Sequence, residues 1–245
     1  MEAVMFGHSG GFVILDEDIS SIVMMLEVVS EDRDINQCFF DLVEMFALAI
    51  SNAVYRSDYI AREQRYLKII NSYRTFEHRK MFPEMIARLG IALGKECRDV
   101  LGDVADIIGL TSIETGHYWS PWDLCVKMAR EKFKNTRERL SIAAAIEQYG
   151  YISVNEPACG SGNTLLAFTI AFAEAGYDPQ TQLHINAVDI TPWCVHLTYS
   201  QLALMNIPAV VTLGNSKTGV MTERWYTPAH IHYKWTERLL NQSQP

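Results

Sequence analysis

A loop of small residues, Pro157-Ala158-Cys159-Gly160-Ser161-Gly162, constrains the fold of this chain more than any other segment. It follows a short apolar segment at residues 151–155 and precedes a helical run at residues 163–175. A short apolar run that ends in a proline- and glycine-containing loop is typical of a buried strand. The sequence therefore predicts a strand, a loop and a helix in succession, as at the start of an α/β domain.

The same alternation continues after this unit. Residues 183–190 form a second strand candidate, residues 192–206 a helical run, and residues 209–213 a third strand candidate closed by Gly214. Strands that alternate with helices in this order are expected to be parallel, with right-handed crossovers, as in a doubly wound sheet. The tail, residues 218–245, is aromatic and polar and carries no pattern that predicts a strand.

The first part of the chain has a helical pattern. Apolar residues recur there at steps of three and four, beginning with Ile19, Ile22, Val23, Leu26 and Val29. This spacing places them on one face of a helix, and its recurrence predicts a bundle of four or five helices. We therefore predict two domains, a helical N-terminal domain at residues 1–110 and a sheet-containing domain at residues 111–245.

Composition limits the classes of protein to consider. Apolar residues make up 49% and charged residues 20% of the chain, which is ordinary for a globular protein. The richest apolar stretch, residues 38–50, contains Asp41 and Glu44, so we predict a buried helix there and no membrane span. The N-terminus carries no basic region followed by an apolar core, so no secretory signal is predicted and a cytoplasmic protein is expected.

Metal and disulfide chemistry are not expected. The 5 cysteines are widely spaced and form no Cys-x-x-Cys pair, which disfavours a disulfide framework and a structural zinc site. His230 and His232 are two candidate ligands without a third, so we predict no metal site.

The loops that follow the three predicted strands indicate where a ligand would bind. In open parallel sheets, ligands lie outside the carboxyl ends of the strands. Gly160 and Gly162 would let a ligand approach the backbone closely. Asp189, at the end of the second strand, is placed to accept hydrogen bonds from ribose hydroxyls, although it could also be an ordinary helix cap before Pro192. The pattern indicates a nucleoside site.

Two nucleotide classes fit poorly. The Gly-Lys-Ser/Thr signature of nucleotide hydrolases is absent, and Leu165 stands where a dinucleotide fingerprint has a small residue. A bulky residue there suits a ligand without a pyrophosphate. S-adenosylmethionine, an adenosine with an amino-acid tail, fits this description.

Four motifs resemble those of a known family. The segment from Glu156 to Asn163 resembles the cofactor loop of DNA adenine methyltransferases, especially the modification subunits of type I restriction enzymes. Gly116-His117-Tyr118-Trp119-Ser120-Pro121 resembles the element that precedes this loop in the family. Val188-Asp189-Ile190 and Gly214-Asn215-Ser216 resemble the second and third motifs. The resemblance covers roughly residues 110–217 and implies a Rossmann-like S-adenosylmethionine-dependent methyltransferase sheet, short or incomplete, after an α-helical N-terminal domain.

The resemblance also implies roles for individual residues at a cofactor site. The methionine end would be shaped by the loop residues Glu156, Pro157, Ala158, Cys159, Gly160 and Gly162, and would be closed over by Tyr118, Ser120 and Pro121. The ribose would lie at Asp189 and Ile190, and the adenine near Asn215 and Ser216. Because Asn215 replaces the usual aspartate, the acceptor for the adenine amino group would be its side-chain oxygen.

The catalytic element of the family is missing. It has the form Asn/Asp-Pro-Pro-aromatic and holds the flipped target base and its amine, but no such tetrapeptide occurs in this chain. The nearest substitute is Thr227-Pro228-Ala229-His230 after Tyr226. Threonine cannot reproduce the amide or carboxylate, while His230 or Tyr226 could stack on a base. The sequence also leaves no length for a target-recognition domain.

A basic helical surface bears on DNA binding. Lys127, Arg130, Lys134 and Arg137 are predicted on one helical face, opposite the apolar Trp122, Val126, Ala129 and Phe133. The basic face could follow a nucleic-acid backbone or simply be solvated. The net charge of −8 disfavours autonomous DNA binding.

These observations leave competing functions. The first is an S-adenosylmethionine-dependent adenine amino-methyltransferase of DNA that needs a partner for target recognition, such as a specificity or restriction subunit. The second is a catalytically inactive S-adenosylmethionine-binding protein, regulatory or decoy, in restriction or antirestriction. The third is a methyltransferase of a small molecule. The sequence leaves the oligomeric state open, a homodimer included.

Overall fold

The computed structural model describes residues 16–95, 97–111 and 119–241. Its N-terminal half consists of five helices, as the apolar spacing predicts: α1 (Glu17–Val29), α2 (Ile35–Val54), α3 (Tyr59–Ser72), α4 (Phe76–Lys95) and α5 (Val100–Ile107). Two more helices, α6 (Trp122–Lys134) and α7 (Thr136–Tyr149), lead into the sheet. The remaining helices are α8 (Asn163–Glu174), α9 (Pro179–Gln182), α10 (Pro192–Leu204), α11 (Pro228–His232) and α12 (Trp235–Asn241).

Four strands form one sheet in the order β1-β2-β3-β4, and the α/β class is confirmed. The strands are β1 (Ile152–Glu156), β2 (Leu183–Asp189), β3 (Ala209–Asn215) and β4 (Val220–Tyr226). The first three are parallel, as predicted, and β4 pairs with β3 in the antiparallel direction. The sheet is therefore mixed, and β1 is an edge strand of the described sheet.

The prediction that the tail contains no strand is wrong. β3 continues through Gly214 to Asn215, with a register irregularity at residues 213–214, and the chain then turns back into β4. Asn215 builds this turn, because its side-chain oxygen accepts hydrogen bonds from Lys217 N and Thr218 N. Gly219 completes it with φ +75°, a conformation that favours glycine.

Helices α8 and α10 cover one face of the sheet, and the helical half packs on α10. The buried side chains of α2, including Leu48, join those of the sheet in one core with Tyr199 and Trp225. Trp193 and Leu197 of α10 extend into the core of the helical bundle in the other direction. The boundary at residue 110 stays a prediction, since the two predicted domains share these cores.

Helix α2 is long and apolar enough, by length and composition, to cross a membrane. In the structure it is the central helix of the bundle, with Phe39, Leu42, Val43 and Met45 nearly inaccessible to solvent. Its packing in the core accounts for its hydropathy.

Charged groups also join the two halves. The Arg65 guanidinium of α3 lies 2.8 Å from Glu44 Oε1 in α2 and 2.6 Å from Glu223 Oε1 in β4. Those two carboxylates raise the pKa of Arg65 against the opposing effect of its burial. Helix α3 is thereby held both to the helical bundle and to the hairpin formed by β3 and β4.

The C-terminal helices close the other face of the sheet near the amino end of β2. Trp235 of α12 is fully buried and packs against His184 of β2 and Tyr151, with ring centroids 5.1 and 4.9 Å away. His184 Nε2 lies 2.9 Å from His230 Nδ1 of α11, and His230 Nε2 lies 2.9 Å from Thr236 Oγ1. Two buried imidazoles therefore share one hydrogen-bonded chain.

Candidate functional site

The Pro157–Gly162 loop connects β1 to α8 at the carboxyl end of the sheet, where a ligand site was expected. Gly160 and Gly162 have φ values of +54° and +91°, and Gly162 is the N-cap of α8. A Cβ atom on Gly160 would lie 2.9 Å from Trp119 Nε1, and one on Gly162 would lie 3.1 Å from Thr198 Oγ1. Both glycines are thus required by backbone conformation and by packing inside the protein, a reason that sequence reasoning missed.

Replacing Gly162 by alanine is expected to lower the free energy of unfolding by about 1–3 kcal/mol. The left-handed φ strains any L-residue, and the new Cβ meets Thr198. Gly176 is a matched control, because it also has φ +91° but has no atom within 4 Å of its Cβ position. Urea unfolding of both variants separates strain from packing, and a loss at Gly162 no larger than at Gly176 would show that the Thr198 contact is unimportant.

Asp189 holds the loop against the second strand. Its two carboxylate oxygens accept hydrogen bonds from Gly160 N and Thr191 N, each at 2.9 Å. Cys159 N donates to Val188 O at 3.0 Å, and Thr198 Oγ1 donates to Gly160 O at 2.9 Å. Asp189 is 9% exposed and is not the side-chain cap of α10. Each of its oxygens keeps a lone pair for another donor.

The loop is anchored from the helical half by Asp99, which sequence reasoning did not identify. Asp99 is the N-cap of α5 and accepts hydrogen bonds from Gly102 N at 2.9 Å, from Gln201 Nε2 at 2.7 Å and from the Ser161 hydroxyl. Burial raises the pKa of this carboxyl, while the bonds from Ser161, Gln201 and Gly102 act to lower it. Only the helix-cap position of Asp99 is visible in the sequence, since its other partners are remote.

The upstream element lies beside the loop. Ser120 O accepts a hydrogen bond from Asn163 Nδ2 at 2.6 Å, and Pro121 is the N-cap of α6. Tyr118 lies outside the described residues. A cavity of about 400 Å³ opens here, and it is lined by Asp99, Gly102, Asp103, Asp106, Thr111, Trp119, Ser120, Pro121, Trp122 and Asn163. The structure thus brings Ser120 and Pro121 to the start of α8.

Glu156 and Cys159 have different environments within the loop region. The Glu156 carboxylate accepts hydrogen bonds from Ala158 N at 3.2 Å and Thr164 Oγ1 at 3.3 Å. It also lines a groove of about 520 Å³ along β1. Cys159 is 2% exposed, and burial raises the pKa of its thiol to about 12. Cys159 is therefore a packing residue rather than a nucleophile, whereas Pro157 and Ala158 are exposed.

The three remaining predicted cofactor contacts differ in whether they are free to meet a ligand. Ile190 follows Asp189 directly and is 67% exposed, an apolar surface at the carboxyl edge of the sheet. Ser216 is also exposed, at the hairpin turn. The side-chain oxygen of Asn215 is already bonded to two amides of that turn. Its predicted role as the acceptor for the adenine amino group is therefore corrected to a turn-forming role.

The candidate catalytic residues lie at the opposite edge of the sheet. Thr227 is fully buried, and its hydroxyl bonds Ile207 O at 2.8 Å and Ala209 N at 2.9 Å, at the amino end of β3. His230 is 3% exposed and bonded to His184. Tyr226 and Pro228 flank Thr227 at this same edge, far along β3 from its carboxyl end. The hypothesis that Tyr226, Thr227, Pro228 and His230 form a degenerate catalytic element is therefore corrected.

The predicted basic face is divided between two helices. α6 ends at Lys134, and Asn135 caps α7, which contains Arg137. Arg130 pairs with Glu174 at 2.5 Å and Lys134 with Glu131 at 2.8 Å. Within the described ranges, Lys127 and Arg137 have no ion pair, so the charge of half of the predicted face is not balanced by a carboxylate in contact with it. The opposite, apolar face, formed by Trp122, Val126, Ala129 and Phe133, packs on α8.

Comparisons with known proteins add little. No family model matches the sequence, and no curated protein matches it. Among solved structures, the chain is similar to a Listeria monocytogenes protein provisionally described as a class I S-adenosylmethionine-dependent methyltransferase. The TM-score is 0.48 and the identity 11%, over 94% of this chain and 72% of that chain.

Proposed function

We propose that this chain binds S-adenosylmethionine at the carboxyl ends of β1 and β2. In this proposal it forms the cofactor-binding part of an enzyme that methylates the amino group of adenine in DNA. The observation that carries the proposal is the Pro157–Gly162 loop, held in a left-handed conformation at Gly160 and Gly162 and bonded to Asp189 on the neighbouring strand. The family motif and this geometry occur at the same edge of the sheet.

The residues at this edge fit the chemical groups of the cofactor. Asp189 can accept hydrogen bonds from ribose hydroxyls with its remaining lone pairs, and the exposed Ile190 offers an apolar surface to adenine. At the amino end of α8, Thr164 N is bonded to Asn163 Oδ1, and the positive end of the helix dipole favours the carboxylate of the methionine tail. When bound, S-adenosylmethionine supplies a methyl group activated by its sulfonium.

The contacts that would hold the methyl acceptor have to come from a source other than the predicted catalytic residues. The sequence contains no Asn/Asp-Pro-Pro-aromatic element, and its nearest substitute lies at the amino end of β3. We infer that a partner, such as a specificity or restriction subunit, contributes target recognition and the contacts to the adenine amine. Within the loop, Pro157 and Ala158 are exposed and are therefore available to such a partner.

The burial of Thr227 favours a second candidate function, a regulatory or decoy protein that binds S-adenosylmethionine and transfers no methyl group. Incubating the chain with radiolabelled S-adenosylmethionine, DNA and candidate partner subunits distinguishes the two. Label on adenine supports the enzyme, and binding without label under all partner combinations supports the second function.

Replacing Asp189 by alanine is expected to weaken S-adenosylmethionine binding by about 1.5–3 kcal/mol, the range for hydrogen bonds to a charged group. Isothermal titration calorimetry of the parent and the variant measures this loss. Asp178→Ala is the control, because Asp178 also bonds a backbone amide but caps α9, before the amino end of β2. Equal affinity of parent and Asp189→Ala would refute the ribose contact, and no binding by the parent would refute the proposed function.

A further inference from the structure

We propose that Asp99, in the helical half, is a positioning residue for the cofactor loop and acts through Ser161 and Gln201. This inference rests on the proposed function and deepens it. It assigns part of the cofactor site to a segment that lies outside the family-like region of the sequence, since residues 110–217 carry all four motifs. The helical half would then be required for cofactor binding as well as for stability.

The hydrogen bonds converge on the middle of the loop. Ser161 stands between the two left-handed glycines, and its hydroxyl donates to Asp99. Gln201 Nε2 of α10 donates to Asp99 Oδ1 at 2.7 Å and to Ser161 O at 2.9 Å. Gln201 Oε1 accepts a bond from Leu101 N at 3.2 Å. Both the side chain and the backbone of Ser161 are thus fixed by groups from other elements.

Burial makes this network decisive for the loop. Ser161 and Gln201 are 1% and 0% exposed, and Asp99 is 7% exposed. A buried polar group that loses its partner is left with an unsatisfied hydrogen-bonding atom, so loss of one member favours movement of the others. The member with the most freedom to move is the loop, because Asp99 and Gln201 are held by α5 and α10.

The arrangement exceeds what a helix cap requires. Asp34 caps α2 and Asp178 caps α9 through bonds to amides of their own helices. Asp99 makes the same kind of bond to Gly102 N and, in addition, reaches a residue 62 positions later in the chain. Gly102 is required there, because a Cβ atom would collide with the Asp99 carboxylate. The additional hydrogen bonds from Ser161 and Gln201 to Asp99 are the ones that fix the conformation of the loop.

The test compares Asp99→Asn, Ser161→Ala and the double variant in the full chain. Asparagine keeps one oxygen for the α5 cap, but it replaces the second, charged acceptor by an N–H donor, so the Ser161 hydroxyl loses its acceptor in this network. Each single variant is expected to weaken S-adenosylmethionine binding by about ten-fold, as for one buried hydrogen bond, and the double variant by little more than the stronger single one. Amide hydrogen exchange in peptides covering residues 157–162 of the ligand-free chain is expected to accelerate in all three.

Asp34→Asn is the matched control, since it alters a helix cap in the helical half without touching the loop. It should leave both readouts unchanged. Unchanged affinity and loop exchange in a folded Asp99→Asn variant would overturn the inference, as would a lowered melting temperature with parental affinity. If Asp99→Asn does not fold, the affinity and loop exchange of Ser161→Ala, which removes only a hydroxyl, test the inference in its place. If the parent binds no S-adenosylmethionine, the proposed function fails, while faster loop exchange would still support positioning of the loop.

Discussion

Lowering the pH from about 7.5 to about 5.5 is expected to destabilise the folded chain by about 4 kcal/mol. The cause is a set of three buried histidines, His184, His196 and His230, which are 0%, 2% and 3% exposed. Burial lowers the pKa of His184 and His196 to about 3 and that of His230 to about 4. The neighbouring His230 further lowers the pKa of His184, and Arg65 that of His196.

The loss of stability at low pH follows from the different protonation of these histidines in the unfolded and folded chain. In the unfolded chain each imidazole takes up a proton near its ordinary pKa of about 6.5, whereas in the folded chain it stays neutral until the pH reaches about 3–4. Stability is therefore fully present above about pH 6.5 and falls between about pH 6.5 and 4 by about 1.4 kcal/mol per pH unit for each histidine. Three such groups remove a large part of a typical net stability of about 5–15 kcal/mol.

Urea unfolding at a series of pH values measures this slope. His232→Gln is the control for the substitution itself, because His232 is exposed. A variant in which His196 is replaced by glutamine should lose about a third of the slope, even if its stability at neutral pH is lower. A stability that is constant from about pH 7.5 to 5.5 would show that the buried imidazoles are not neutral in the folded chain.

Replacing Trp225 by alanine is expected to lower the free energy of unfolding by about 3–5 kcal/mol. The indole is fully buried where the hairpin meets the helical half. Its ring centroid lies 5.1 Å from that of His196 and 5.3 Å from that of Tyr199, and the Arg62 guanidinium lies 5.6 Å from it. Truncation would leave a cavity among three elements, α3, α10 and β4.

Val220→Ala is the matched control on the same strand, because Val220 is 60% exposed. Its expected change is within about 0.5 kcal/mol, as for most surface substitutions. Thermal and urea unfolding of both variants would check the difference. A loss below about 1 kcal/mol for Trp225→Ala would mean that the hairpin contributes little to the core.

The same tryptophan explains why β4 could not be predicted. Of the seven residues from Val220 to Tyr226, only Trp225 is buried, so the strand lacks the buried apolar run that marks β2 and β3. The hairpin is held instead by the Asn215 turn and by contacts with α2, α3 and α10. Such contacts join residues remote in sequence and leave no local pattern.

The candidate site shows the same division. The loop, Asp189 and Ser120–Pro121 could be placed from motifs, because each follows or precedes a periodic element. The hydrogen-bond partners of each side chain could not be predicted from the sequence. Asn215 is engaged in a turn, and Asp99 bonds Ser161 and Gln201 across 62 and 102 positions. Long-range polar contacts depend on the assembled core, and one sequence does not display them.

The ion pair between Arg65 and Glu223 has a consequence for the synthesis of the protein on the ribosome. These residues are 158 positions apart, so the helical half emerges long before the hairpin to which it binds. At about 5–20 residues per second, the delay is on the order of ten seconds. During that time α2 exposes to solvent the apolar surface that later packs against α10 and the sheet. The nascent chain is therefore expected to need protection from aggregation until its last strand is made.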